Sequence, residues 1–405
     1  MGKKKDKKEK KDKKLRKAAA KAQLAAAEQP AEQAAVAADD AATKPATTTL
    51  AHVNVPYAQT WNYLRINDIS FEVPTPDAKG KVYEAAPRLF DTVDAGIGEE
   101  AVRWIIAAAG DVRYVEVPRH TVRTEPVVVN VSAGQAANTA IMVREGATAS
   151  VVVVATSGEA EPGTTTAALT RIIAERDATV DLVEIVADTD ATAHLEGVGI
   201  KADDRATVNV RQYALGGAKV AFGIGVELAG DYSRLDLLMR YHASGEGTLD
   251  VNHQCRMSGS HSRAEMHASG VLADAAKKTM RETIDLVHGA KDARGNEAET
   301  VLVTGDDVVN KTLPTILCDE EDVQGNHGAT IGTVGPEQMD YLADRGLSRK
   351  DAEALFVRAL FEDAIINAPE AHAHDVAVRQ AERVLGAEVA HDFDASVQLA
   401  EDEEA

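Results

Sequence analysis

The chain has 405 residues, 44% of them hydrophobic and 4% aromatic, with a formal net charge of −21. That length allows a sizeable core and more than one domain, while no apolar run approaches a membrane span and the charged N-terminus lacks the apolar stretch of a secretory signal. So acidic a body repels phosphate backbones, which argues against a nucleic-acid partner, and the two cysteines, Cys255 and Cys318, form neither a disulfide framework nor a Cys-x-x-Cys motif, so a reducing cytoplasm is the expected setting.

The first fifty residues are low in complexity: Lys-rich, then Ala/Gln/Glu-rich, then rich in Thr. Met1–Leu24 carries twelve Lys and Arg against three Asp and Glu, a net +9, leaving −30 on the remainder. Such a composition cannot bury enough apolar area to offset chain entropy. A Lys run has the charge to touch RNA or an anionic membrane, but no aromatic residue is interleaved to stack on bases, so it reads as a solvated tail. Order is expected from near His52, where Trp61, Tyr63, Leu64, Ile66, Ile69 and Phe71 concentrate apolar area. The stretch 96–109 reads as a helix, with Glu99 and Glu100 in its first turn, Val102, Ile105 and Ile106 on one face, and Gly110 as its stop.

From Tyr114 the texture changes to short Val-rich strands alternating with small turns for more than two hundred residues. Ala147, Ala178 and Ala206 each open such a strand, at spacings of 31 and 28 residues. A regular return of a small turn and a Val-rich strand predicts a solenoid of stacked coils, a mainly β fold whose core is a right-handed parallel β-helix. The alternative, an antiparallel β-sandwich, calls for Asn-Gly or Asp-Gly hairpin turns, and the region has none. Exposed solenoid ends need covering, and the segments before and after the core are expected to cap them.

After Gly332 the pattern turns helical. Pro336 suits a first turn, Met339, Tyr341 and Leu342 supply apolar contacts, and Gly346 ends the element. Ser348 with Asp351 looks like a capping box, and Ala352, Leu355, Phe356, Ala359 and Leu360 follow at helical spacing until Pro369. A further helix is expected over 375–385, stopped by Gly386, and helices in this position are expected to pack onto the last coil. The organisation read from the chain is therefore a tail over 1–50, an N-terminal helical cap over 51–113, a β-helix core over 114–334, a C-terminal helical domain over 335–395 and an acidic tail over 396–405.

No Walker-type phosphate loop and no Gly-x-Ser-x-Gly elbow is present, so the chain is not expected to hydrolyse ATP or to act as a serine hydrolase. His253 and Cys255 alternate along one strand and share a face, with His261 and His267 following, but their spacing matches no closed metal site and they read as structural. Asp177, Glu184, Asp203 and Asp204 could suggest a β-helix enzyme acting on carbohydrate; the scarcity of aromatics argues against sugar stacking, and solvated turn and face positions account for them better. In the segment 313–332, LPTILCDEEDVQGNHGATIG, a short apolar run and an acidic turn lead to His327 among residues with little side-chain bulk. Such a His either binds something that approaches closely or is a hydrogen-bonded part of a tight turn.

This segment, the EQMDYLADRGLS that follows at 337–348, and VEVPRHTVRTEPVVVNV at 115–131 resemble the SufB/SufD family of iron–sulfur cluster assembly proteins, over 114–366. The resemblance implies edge-to-edge joining with a SufB-type scaffold subunit, with His327 facing the partner and assisting the nascent cluster. It also implies docking of a SufC-type ABC ATPase through Tyr341, Leu342, Arg345 and Gly346 and the helix around Leu355 and Phe356. A non-catalytic, SufD-like subunit follows, with no stably bound cofactor, a transient cluster shared with its partner, and self-pairing in isolation as a further option. A purely structural adaptor without cluster contact is the bland alternative. Thr300 stands where SufB has a cluster-building Cys, Gly328 follows His327 where SufB has Glu, and Gly325 stands where some SufD proteins have Cys. Without that thiolate and carboxylate the chain is expected to be a poor scaffold by itself.

Overall fold

The computed structural model describes residues 46–57, 65–76, 86–158 and 160–386. Thr148, Thr179 and Thr207, which follow the three repeated alanines, stand in register on neighbouring parallel strands, so each repeat is one coil. Two all-parallel eight-stranded sheets result, wound into a solenoid of about eight turns. Sheet 1 takes Val127–Ser132, Thr148–Thr156, Thr179–Ala187, Thr207–Gly216, Arg234–Ala243, Arg263–Leu272, Ala293–Val303 and Val323–Gly332. Sheet 2 takes Arg113–Val117, Ala136–Val143, Thr164–Ala174, Thr192–Ala202, Lys219–Leu228, Thr248–Met257, Lys277–Leu286 and Val309–Cys318. Strict parallel pairing excludes the antiparallel sandwich.

The strands hold because Val, Ile, Leu and Ala fall at every second position and fill the space between the sheets. One corner is turned by residues in the left-handed region, among them Asp177, Arg205, Tyr232, His261 and Asp292. Their amides form a ladder of their own: Asp177 N–H donates to Asp204 O at 2.9 Å, and Arg205 N–H to Asp231 O at 2.8 Å. Side chains reinforce it, with Arg205 bonded twice to Asp177 at 2.6 and 2.8 Å and Tyr232 stacked on His261 at 4.6 Å. Asp177, Asp203 and Asp204 thus belong to turns. Glu184 does not: it is fully buried between the sheets.

The flanking segments cover the broad faces of the solenoid, which departs from the expectation of caps at its ends. Before the solenoid, Thr47–Leu50, part of the expected tail, pairs antiparallel with Phe71–Pro74. A 3-10 turn at Arg88–Thr92 and the helix Glu99–Ala109 (α1) complete this arm, so the segment expected to be helical is mixed. Trp61, Tyr63 and Leu64 lie outside the described residues, as do the Lys-rich and acidic tails. Leu50, Phe71, Ile97 and Ile105 pack on the outward-facing Ala167, Leu169, Leu195 and Ala221 of sheet 2. The reason is local: these outward positions are apolar and need a cover. The arm comes close because Gly197 and Gly199 lie beside Gly223 and Gly225, and a Cβ on Gly223 would collide with the backbone of Ile97.

After the solenoid come Pro336–Ala343 (α2), Arg349–Ile366 (α3) and Ala371–Leu385 (α4). Ser348 and Asp351 form the expected capping box of α3, and the Glu370 carboxylate caps α4 by accepting from the amides of His372 and Ala373. Helices α3 and α4 turn back and bury Phe361, Ala364, Val376 and Ala377 against Val152, Val154, Val183, Ile185 and Tyr213 of sheet 1. Val271 and Leu302 of later coils join the same cluster, so the two helices lie along the face of sheet 1 and do not close the last coil. No helix among the described residues is long and apolar enough to cross a membrane.

Candidate functional site at the open end

The last coil is left uncovered. Val323–Gly332 pairs only with Ala293–Val303, and Val309–Cys318 only with Lys277–Leu286, so both sheets end in edge strands among the described residues. Every residue from Gln324 to Gly332 is exposed, Ile331 to 55%. In the first coil, by contrast, the inward-facing Val127, Val129 and Val131 are buried. An unpaired edge with free amides and carbonyls is a template for another strand.

His327 sits on this edge strand. Two residues earlier, Gly325 faces the interior, since a Cβ there would meet Ile316 and Leu286. Alternation puts His327 on the same inward row, at the mouth of the solenoid, and Gly328 beside it has open space around it. Its register partner one strand back is Glu297. Glu297 is 2% exposed and neither of its carboxylate oxygens has a hydrogen-bond partner among the described residues. Burial and the nearby Glu282 push its pKa up to about 9, opposed only by the approach of the Thr315 backbone. At neutral pH it holds its proton and is both a donor and an acceptor, directly behind His327.

The interior behind the mouth is polar. Burial raises Glu282, partly offset by the ring of His253, which approaches it at 3.6 Å. Glu299 accepts from Tyr241 Oη at 2.8 Å, from Thr312 Oγ1 at 2.6 Å and from Lys278 Nζ. Burial lowers Lys278, opposed by Glu299. A separate fully buried group lies deeper: His194 Nε2 meets Glu196 Oε2 at 2.9 Å, His194 Nδ1 contacts Thr166 Oγ1 at 2.7 Å, and Gln212 donates to Glu184 at 2.7 Å. Burial would lower the His194 ring, but Asp188 and Glu196 lift it to about 9. The apolar side chains Val220, Phe222, Met239, Leu249 and Val251 fill the coils between the two groups.

The other candidates separate. Thr300 is in register with Thr330 and points outward, away from His327. His253 and Cys255 do share the inward face, but burial pushes the Cys255 thiol far up, so it is inert as a thiolate. His261 is bound to Asp292 at the corner at 2.9 Å, and His267 faces outward. No group of three or more His, Cys, Asp or Glu side chains among the described residues is placed to hold a metal ion. The interior charges went unread in the sequence, though they left a signal. In KKTMRETIDL, Lys278 and Glu282 fall in phase with Met280, Ile284 and Leu286, and Glu297 and Glu299 fall in phase with Val301.

A second exposed surface lies on the helices. Tyr341 is 56% exposed, with the Arg345 guanidinium 3.6 Å above its ring, and Gly346 turns the chain in the left-handed region. Tyr341, Leu342 and Phe356, with Val334, Glu337 and Gln338, line a cavity of about 360 Å³. Leu355 and Phe356 are themselves exposed on the first half of α3.

Fold and site together define a parallel β-helix with one open end, a histidine at its mouth and an apolar helical patch beside it. Residues 127–360 match the family described as SUF system FeS cluster assembly, SufBD core domain, and the chain belongs to that family. It is similar to the iron–sulfur cluster assembly protein SufD of Bacillus subtilis, 29% identical over 125 residues, which are 31% of this chain and 29% of that protein. It is also similar to SufD of Escherichia coli, 23% identical over 154 residues, 38% of this chain and 36% of that one. A SufBD family protein of Synechocystis is 23% identical over 146 residues, 36% of this chain and 29% of the relative. The matched stretches thus span about a third of the length of these curated relatives.

Proposed function

We propose that this chain is a SufD-like, non-catalytic subunit of a SufBCD-type complex that assists ATP-driven assembly of iron–sulfur clusters in the cytoplasm. The observation that carries the reading is the unpaired edge strand Val323–Gly332 with His327 exposed at the solenoid mouth. A SufB-type subunit joins that edge, and the nascent cluster, as cargo, passes near His327. An imidazole suits such a task as an iron ligand and as a proton carrier near neutral pH. The SufC-type ATPase grips the patch around Tyr341, Leu342, Arg345, Gly346, Leu355 and Phe356, and its closure pulls on α2 and α3 and shifts the joint. In the carbohydrate-enzyme reading Glu184 would need to reach substrate, and it is sealed between the sheets. The test is co-purification with SufB- and SufC-type subunits, followed by cluster build-up with His327→Ala. Normal assembly by that variant would remove His327 from the mechanism, and failure of the chain to bind either subunit would remove the reading as a whole.

A further inference from the structure

On the outer face of sheet 1, Asp181, Asn209, Asp236, Glu265, Asn296 and Asn326 stand in register on six successive strands, ending at the open edge. Three hydrogen bonds along this row run in one sense, with the two carboxylates Asp236 and Glu265 standing side by side between them. Asn209 Nδ2 donates to Asp181 Oδ1 at 2.7 Å, Asn296 Nδ2 to Glu265 Oε1 at 2.6 Å, and Asn326 Nδ2 to Asn296 Oδ1 at 2.7 Å. The sense is forced by chemistry. The Glu265 carboxylate only accepts, so Asn296 turns its NH₂ towards it and its oxygen towards the open end. Asn326 then donates to that oxygen, which leaves its own Oδ1 as the last acceptor of the row. A strand added to this edge would place its next rung about 4.8 Å beyond.

We propose that Asn326 sets the chemistry of the joining strand: the partner carries a hydrogen-bond donor such as Asn, Gln, Ser, Thr or Lys at the rung opposite Asn326. This rests on the reading that the edge joins a SufB-type partner. A donor there completes the row by satisfying the Oδ1 that Asn326 turns towards the edge. The rung faces outward and His327 inward, so register and cluster chemistry are carried by opposite faces of one strand.

The test is a binding titration of the full chain with the SufB-type subunit of the same organism, using Asn326→Leu, Thr330→Leu and Ile331→Glu. Asn326→Leu removes the acceptor that faces the added strand together with the last bond of the row. It is expected to weaken binding about tenfold or more with unfolding temperature unchanged, since the residue is exposed. Thr330→Leu makes the same kind of change on the same outward face off the rung and is expected to weaken binding less; equal losses would make the effect one of general polarity on that face and overturn the proposal. Ile331→Glu places a charge on the exposed inward row and is expected to abolish joining. If it does so while Asn326→Leu binds normally, edge joining stands and the donor rung is overturned. If Ile331→Glu also binds normally, the edge is not the joint and both ideas fall.

Discussion

The hydroxyl of Tyr213 donates to the Asp363 carboxylate at 3.0 Å, joining a solenoid strand to a helix 150 residues later in the chain. Arg240 Nε lies 3.7 Å from the same carboxylate, and Asn367 Nδ2 donates to the Asp363 carbonyl at 2.8 Å. This contact and the buried Phe361 fix the second half of α3. Its first half stands over a cavity of about 640 Å³ floored by Thr300, Leu302 and Thr330. A pull on the exposed face around Phe356 would reach the solenoid through Asp363 and the packed Phe361. Tyr213→Phe is expected to cost about 1–2 kcal/mol. Amide exchange should rise across 349–385 while the solenoid strands stay protected. Unchanged exchange in α3 would show that apolar packing alone holds the helix.

Two phenylalanines on α3 separate docking from folding. Phe356 is 46% exposed and Phe361 is fully buried. Phe356→Asp is expected to abolish binding of the SufC-type subunit and to change stability by no more than about 0.5 kcal/mol. Phe361→Ala removes a packed ring and is expected to cost about 3–5 kcal/mol. Thermal unfolding and a pull-down on the same pair of variants check both statements, and retained binding by Phe356→Asp would move the docking surface elsewhere.

His194 is held by carboxylates on both sides within a sealed interior. His194→Ala leaves Asp188 and Glu196 without it, and breaking such a buried arrangement is expected to cost about 3–5 kcal/mol. The pH dependence has a defined sign. The folded value of about 9 lies above the unfolded value of about 6.5, so the His194 contribution is fully present below pH 6.5 and is lost as pH rises through 9. Thermal unfolding of wild type and His194→Gln between pH 6 and 9 measures it: the variant should lose this part of the slope.

Much of the solenoid was legible because its coil period is written in the chain as Ala147, Ala178 and Ala206, and because turn chemistry recurs at the same offset. The placement of the flanking segments was not, because it depends on which outward strand positions are apolar. Val152, Val154, Val183 and Ile185 draw the C-terminal helices back along the face of sheet 1, and Ala167, Leu169, Leu195 and Ala221 draw in the arm. Paired glycines at 197, 199, 223 and 225 were visible as letters, but their meaning needs the register that sets them side by side. At the site, His327 stood out by its small neighbours. Glu297 did not, since one charge in a strand of mixed residues acquires significance only once the strand's inward phase is known.

Glu297 offers the sharpest check on the mouth of the solenoid. Its folded value is about 9, raised first by burial, against about 4.5 in the unfolded chain. Through that window the folded chain holds a proton that the unfolded chain has released, so folding grows weaker as pH rises. The Glu297 contribution is fully present below pH 4.5 and is lost progressively towards pH 9. Glu297→Gln keeps the shape and cannot ionise, so it should unfold at nearly the same temperature as wild type at pH 5. At pH 8.5 it should be the more stable of the two, by an amount on the order of a few kcal/mol. A series of thermal unfolding curves across pH 5–9 decides the point. Parallel curves would mean that Glu297 is already charged in the folded chain, and then the group behind His327 is an anion and not a proton donor.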